Sequence, residues 1–231
     1  MTKLEVKEKE IVVPGEVLAV GMDFLPAGGA FREGDNIIAS HVGLVTIDNR
    51  LIKVVPLTGR YIPKRNDIII GKIRDMTFSG WMVDINSAYS AALNSKDATS
   101  EFVARGSDLS RFYDFGDVIV AGITNVTKSK MVDLTMRGPE FKKLKGGKLI
   151  TITASKVPRA IGKQGSMITM IKEMTDCKII VGQNGVVWIS GTDAEKELVA
   201  TEAIIKIENE SHTDGLTDKI KKFLEGRLKK K

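Results

Sequence analysis

Residues 157–171 read VPRAIGKQGSMITMI, and their chemistry is that of an anion cradle. Gly162 and Gly165, three apart, permit a tight turn through backbone angles that most residues avoid. Lys163 stands between them, where a phosphate can approach bare backbone, and Arg159 adds a second positive charge just before the turn. Apolar residues then recur at 167, 168, 170, 171 and 174, a helical period. The N-terminus of that helix would add partial positive charge to the same place. A Gly-x-x-Gly tetrad also serves as a plain helix–helix turn, so the elements around it must decide between the two readings.

Composition removes several other chemistries. The chain has 231 residues and a single cysteine, Cys177, so no internal disulfide can form, and a cytoplasmic setting is expected. His41, His212 and Cys177 do not make a zinc-type ligand set, and no metal or other cofactor is expected. No nucleophile is paired with a base and no carboxylates cluster for magnesium, so no enzyme activity is expected. No apolar run approaches the ~18 residues of a membrane helix, and the charged start, MTKLEVKEKEIVVPGEV, does not read as a secretory signal. The net charge of +6 points to an anionic partner, but residues 219–231, KIKKFLEGRLKKK, carry all of it. The rest of the chain sums to zero, so nucleic acid would be held by local sites.

The elements that must position these residues fall into blocks. Residues 1–65 read as a small β domain, with strands in EVLAVG, NIIASHVGLVTID and RLIKVVPL and a loop in LPAGGAFREGD. Residues 66–146 read as a closed barrel of about five short strands. In it Trp81, Val83 and Ile85 alternate with Met82 and Asp84 and bury one face. The stretch 87–114 reads mostly as loops, FGDVIVAGITNV and MVDLTMRG are strands, and Lys128 and Lys130 sit on the loop between them. Residues 147–211 mix strands and helices: LITITA, the glycine turn and its helix, KIIVGQNGVVWIS as a hairpin turning at Asn184-Gly185, and a long helix begun by Thr192-Asp193. Residues 212–231 form a basic amphipathic helix with Leu216, Ile220, Phe223, Leu224 and Leu228 on one face. The fold class is multidomain, β-rich plus α/β.

The order strand, helix, Gly-x-x-Gly, helix, two strands, long helix resembles the KH domain, a single-stranded RNA-binding module, and the matching residues are Ile161-Gly162-Lys163-Gln164-Gly165-Ser166-Met167-Ile168. The resemblance implies that Arg159, Ile161, Gly162, Lys163, Gln164 and Gly165 clamp the backbone of about four nucleotides. The middle block, IIIGKIRDMTFSGWMVDI with FGDVIVAGITNVTKSKMVDLTMR, resembles the S-one type of OB fold. That family stacks bases on two aromatics, and Phe78 and Trp81 match their places; each stacked base is worth about 1–3 kcal/mol. Trp81 is equally readable as core, and both readings stand at this point. The chain departs from that family in having Asn94 where histidine is usual, and Thr127 and Met131 where Asp and Arg are usual.

Taken together, a small β domain, an S-one-type barrel and a KH domain resemble the archaeal exosome RNA-binding cap subunits, the family of ribosomal-RNA-processing protein four. The resemblance covers nearly the whole chain, including GRYIPKRND leading into IIIGKI, and IGKQGSM followed by GQNG. It implies a non-catalytic subunit that captures single-stranded RNA, with a preference for adenosine-rich tails. Three copies would sit on a hexameric ring of ribonuclease-PH-like subunits, around the pore that leads to the phosphate-dependent sites. Lys72, Arg105, Arg111, Lys128 and Lys130 are then the candidates for barrel loop cations facing the RNA. A free-standing RNA chaperone or translation-associated factor shares the same binding chemistry and is the alternative.

Overall fold

The structure, a computed structural model, describes residues 3–99, 101, 108–211, 213 and 215–228. It divides into two compact units, residues 1–59 and 60–231.

The first unit is all β. Strands β1 (Lys3–Leu4), β3 (Val17–Val20), β6 (Asn36–Ala39) and β5 (Ala30–Glu33) form one sheet in the order β1-β3-β6-β5. Strands β2 (Ile11–Val12), β7 (Gly43–Asp48), β8 (Leu51–Pro56) and β4 (Leu25–Pro26) form the other, in the order β2-β7-β8-β4. Val12, Leu18, Ile37, Val45, Ile52 and Val54 meet in its core. Two expectations are corrected here. LPAGGAFREGD is not a plain loop, since β4 and β5 lie in it, and NIIASHVGLVTID is two strands broken at residues 40–42. The glycines and charges of the first stretch hide strands whose stability comes from pairing with β6 and β8.

The second unit opens with β9 (Ile68–Thr77), β10 (Gly80–Asp84), β11 (Ala91–Asn94), a short helix α1 (Ser95–Ala98), β12 (Val118–Val126) and β13 (Val132–Thr135). These strands run in the order β13-β11-β10-β9-β12, and β12 also pairs with β13, which closes a five-stranded barrel. Period-two alternation fills it: Ile69, Ile73, Trp81, Val83, Leu93, Ile119, Ile123 and Leu134 all point inward. Strand β11 lies in the stretch expected to be mostly loop. Its apolar content is only Ala91, Ala92 and Leu93, too little for a periodic signal, yet its parallel pairing with β13 brings that strand round to where β12 closes on it.

A further strand, β14 (Lys142–Leu144), extends the sheet by pairing with β12; the run of lysines masks it in the sequence. The KH-like module follows with β15 (Lys148–Thr151), α2 (Val157–Ile161), α3 (Ser166–Thr175), β16 (Lys178–Val181), β17 (Val186–Ser190), α4 (Ala194–Asn209) and α5 (Leu216–Leu228). Its antiparallel sheet has the order β15-β17-β16, and its helices pack on one face around Ile171, Ile179, Val187, Ile189, Ile204 and Ile220. The Asp193 carboxylate accepts from the Glu195 amide at the start of α4. Arg227 reaches Glu202 with two hydrogen bonds and ties α5 to α4. Among the described residues no helix is long and apolar enough to cross a membrane.

The other face of the KH-like sheet lies on the barrel. Trp188, Ile180 and Val186 pack against Ile70, Val120, Leu144 and Phe141, and the Trp188 indole donates to the Gly146 carbonyl at 2.8 Å. The hairpin Gly182-Gln183-Asn184-Gly185 plugs into this seam. Asn184 is fully buried; its Nδ2 donates to the carbonyls of Ile70 (2.8 Å) and Ile85 (2.9 Å), and its Oδ1 accepts from the Ile70 amide (3.3 Å). Gln183 exchanges bonds with both backbone groups of Ile68. The hairpin is thus both a turn and a lock between two modules, and only the turn is readable from Asn-Gly.

Candidate nucleic-acid interface

Pro158 in the first turn of α2 needs no amide partner, which suits the start of so short a helix. The chain then leaves the helix at Gly162 (φ 79°), passes Gln164 (φ 53°) and enters α3 from Gly165 (φ 80°). All three angles lie where L side chains are strained. Gly162 is further constrained, because a Cβ there would stand 2.7 Å from both the Cβ and the amide nitrogen of Met167. At Gly165 the space is open, with nothing closer than Thr169 Oγ1 at 3.9 Å. The cap residue of α3, Gly165, has no side chain to close its start; the Ser166 amide donates to the Lys163 carbonyl, and the positive end of the helix dipole remains to attract an outside anion. Lys163 and Gln164 are exposed beside that start.

Arg159 is also exposed, but its guanidinium donates to the Thr213 carbonyl at 2.9 Å and so anchors the α4–α5 connection. Ile161 is half-buried against the helical core, where it closes α2 and does not stand free for a ligand.

The barrel candidates separate more sharply. Phe78, in the β9–β10 turn, is 77% exposed and available for stacking. Trp81 is not: it is 1% exposed, its indole donates to the Tyr113 carbonyl at 2.8 Å, and the Tyr113 ring meets it edge-on at 5.3 Å. The inward phase of β10 makes Trp81 a core residue, and the base-stacking reading is withdrawn. The same burial raises the Tyr113 hydroxyl pKa.

Lys72 is exposed but lies mid-strand in β9, opposite Asp84 and Val118, and not on a loop as expected. Lys128 and Lys130 are exposed on the β12–β13 turn, held by Thr127 N–H to the Met131 carbonyl and Lys130 N–H to the Thr127 carbonyl, both 2.9 Å. Arg111 is exposed with its guanidinium 4.5 Å from the centre of the Phe112 ring. Arg105 lies outside the described residues. No group of three or more His, Cys, Asp or Glu suited to a metal ion occurs among the described residues.

Sequence reasoning missed Phe115. Read as the start of a strand, it instead precedes β12 on a turn and is 71% exposed. Its neighbour Asp117 shows why the turn holds. Burial pushes the Asp117 carboxyl up, but the Lys143 ammonium and the Asp114 amide outweigh it and leave the pKa below the ordinary value.

A closed OB-type barrel docked on a KH module, each with exposed groups suited to a phosphate or a base, defines the class. Residues 147–195 match the family described as KH domain. The exosome complex component Rrp4 of Thermococcus kodakarensis is 50% identical over 232 residues, covering 99% of this chain and 90% of that protein. Its counterpart in Methanothermus fervidus is 47% identical, covering 96% and 97%. A crystal structure of a candidate exosome complex RNA-binding protein superposes with a TM-score of 0.68 at 34% identity, over 74% of this chain and 98% of that one. The chain belongs to the Rrp4 family of exosome complex components.

Proposed function

We propose that this chain is a non-catalytic cap of the exosome that captures single-stranded RNA and guides it toward a 3′-to-5′ exoribonuclease ring. One observation carries the reading: the left-handed turn at Gly162–Gly165 leaves the start of α3 exposed and without a side-chain cap, with Lys163 beside it. That arrangement offers the dipole of α3 and a full charge to one phosphate, which glycine lets come close to the backbone. Exposed Phe78 adds a stacking surface, and Lys72, Arg111, Lys128 and Lys130 add charge on the barrel.

The first unit supplies a surface for assembly. Ile11, Leu44 and Val55 stand in register across β2, β7 and β8, with Ile11 62% exposed. An apolar stripe in water is the ordinary mark of a protein interface. Three copies on a hexameric ring of ribonuclease-PH-like subunits would bring barrel cations from several chains around one strand. Multivalency of that kind raises affinity by roughly 10²–10⁴ with the same set of contacts per chain.

The test measures RNA affinity against salt for the isolated chain and for the assembled complex, with adenosine-rich and mixed strands. Much tighter binding by the complex is expected, and tighter binding of the adenosine-rich strand. Equal affinities for chain and complex would instead favour a free-standing RNA-binding factor. Release of nucleoside diphosphates from RNA and phosphate by the isolated chain would overturn the non-catalytic part.

A further inference from the structure

Phe78 and Phe115 are the two most exposed large apolar side chains among the described residues, at 77% and 71%. Both are aromatic, and both belong to the barrel. Phe115 is not on a loose loop. The Gly116 amide donates to the Ile73 carbonyl (2.9 Å) and the Ile73 amide to the Asp117 carbonyl (2.8 Å), so its turn is stitched to β9. On the other side Tyr113 is fixed to Trp81 through the carbonyl and ring contacts already described. A ring held out in water by a turn fastened at both flanks contributes nothing to the core. Its rigidity suits a stacking platform, because little ordering remains to be done on binding.

Two cations, Lys72 and Arg111, lie close to this turn in the chain or across the ladder. Lys72 leans along the same turn, its Cε 3.9 Å from where a Cβ on Gly116 would stand. Neither Lys72 nor Arg111 forms an ion pair among the described residues. Among the carboxylates close in sequence, Asp117 is paired with Lys143, while Asp114 and Asp108 accept from the Phe115 and Ser110 amides and keep their charge, Asp108 attracting Arg111. Asp84 faces Lys72 across the ladder without pairing with it. Phe78 follows the end of β9 in the turn, four residues after Arg74, and Phe115 lies about level with Arg74, so the two platforms stand on the order of 10 Å apart, given ~3.4 Å per residue along the strand. Single, separated aromatic rings fit individual unpaired bases of one strand with nucleotides between them, whereas a protein partner would call for a contiguous apolar patch.

We propose that Phe115 is a second base-stacking station of the barrel, taking one unpaired base of single-stranded RNA while Lys72 meets an adjoining phosphate. This rests on the RNA-binding reading above. The experiment titrates the full chain with a single-stranded oligoadenylate at low salt, using Phe115→Leu, Phe115→Trp and Phe78→Ala. Phe115→Leu keeps an apolar group and removes the π face; it is expected to weaken binding by about five- to a hundredfold with an unchanged thermal melt. Phe115→Trp is expected to retain affinity and show indole quenching on RNA addition. The native tryptophans are buried, at 1% and 8% exposure, and supply a steady background. Unchanged affinity in Phe115→Leu, with loss in Phe78→Ala, would overturn this station and leave the RNA reading standing. Unchanged RNA affinity in Phe115→Leu together with loss of a protein from the assembled complex would overturn it in favour of a docking role. No RNA binding by the wild-type chain, alone or assembled, would remove both readings.

Discussion

The KH module contains two tetrads with the same spacing, Gly162-Lys163-Gln164-Gly165 and Gly182-Gln183-Asn184-Gly185. The first faces water at the mouth of a helix; the second is driven into the barrel, with Asn184 fully buried on Ile70 and Ile85. Glycine spacing therefore specifies a tight turn and nothing about its partner. The partner is set by what stands between the glycines. A lysine keeps one tetrad in solvent, where its charge stays hydrated. An asparagine can be buried in the other because its amide has two donors and an acceptor to match two carbonyls and an amide.

The largest effect expected from breaking this contrast is at the buried tetrad. Asn184→Leu removes three hydrogen bonds and leaves barrel backbone groups unpaired at the seam. A destabilisation of about 3 kcal/mol in urea unfolding is expected. A value under about 1 kcal/mol, the size of a single ordinary hydrogen bond, would mean the seam is not locked by this side chain.

The glycines themselves sharpen the comparison. Gly185→Ala meets a positive φ of 82° and also drives the new Cβ into the Ile152 carbonyl, and is expected to cost about 2 kcal/mol or more. Gly165→Ala has the same kind of φ but open space, so about 1 kcal/mol is expected. Equal costs in thermal melts would show that backbone strain alone, and not the neighbour, separates the two turns. At the exposed tetrad the larger consequence should be functional: under the proposed RNA contact, Gly165→Asp would set a carboxylate against a phosphate, and RNA affinity should fall at least about fivefold with the fold intact. Unchanged affinity would remove this loop from the RNA path.

The smallest effect is expected on the β12–β13 turn. Replacing Lys128 and Lys130 together with alanine should leave stability within about 0.5 kcal/mol, since both are exposed and unpaired among the described residues. It should reduce the slope of log affinity against log salt by about 1.4, or ~0.7 for each phosphate that is no longer neutralised. An unchanged slope would show that neither lysine touches RNA.

How much the residues disclose in advance follows how local each signal is. The helical period of α3, the Asp193 cap of α4 and the apolar face of α5 are contained within one element, and each is read directly from spacing. The inward phase of β10 is equally plain, and it decides Trp81 as core once the barrel is closed around it. What escapes depends on partners distant in the chain. Strand β11 exists because β10 and β13 flank it. Asn184 looks like an ordinary turn residue until Ile70 is placed beside it, and Phe115 looks like the first residue of a strand until the turn at Asp114–Asp117 lifts it out of the ladder. Charge misleads in one place: the lysines around Leu144 hide a strand, and their backbone extends the sheet against β12.

The seam has a consequence for how the molecule is made. Ile70 and Asn184, joined by hydrogen bonds, are 114 residues apart in the chain. At about 5–20 residues per second on the ribosome, β9 emerges roughly 6–23 s before the hairpin that will cover it. Late in that interval, once β13 has emerged and the barrel can close, Ile70, Val120 and then Leu144 present an apolar strip to water. Translation speed across residues 145–190 thus sets how long a nascent chain is exposed to wrong partners, and substitutions that weaken the lock should show first as lower soluble yield.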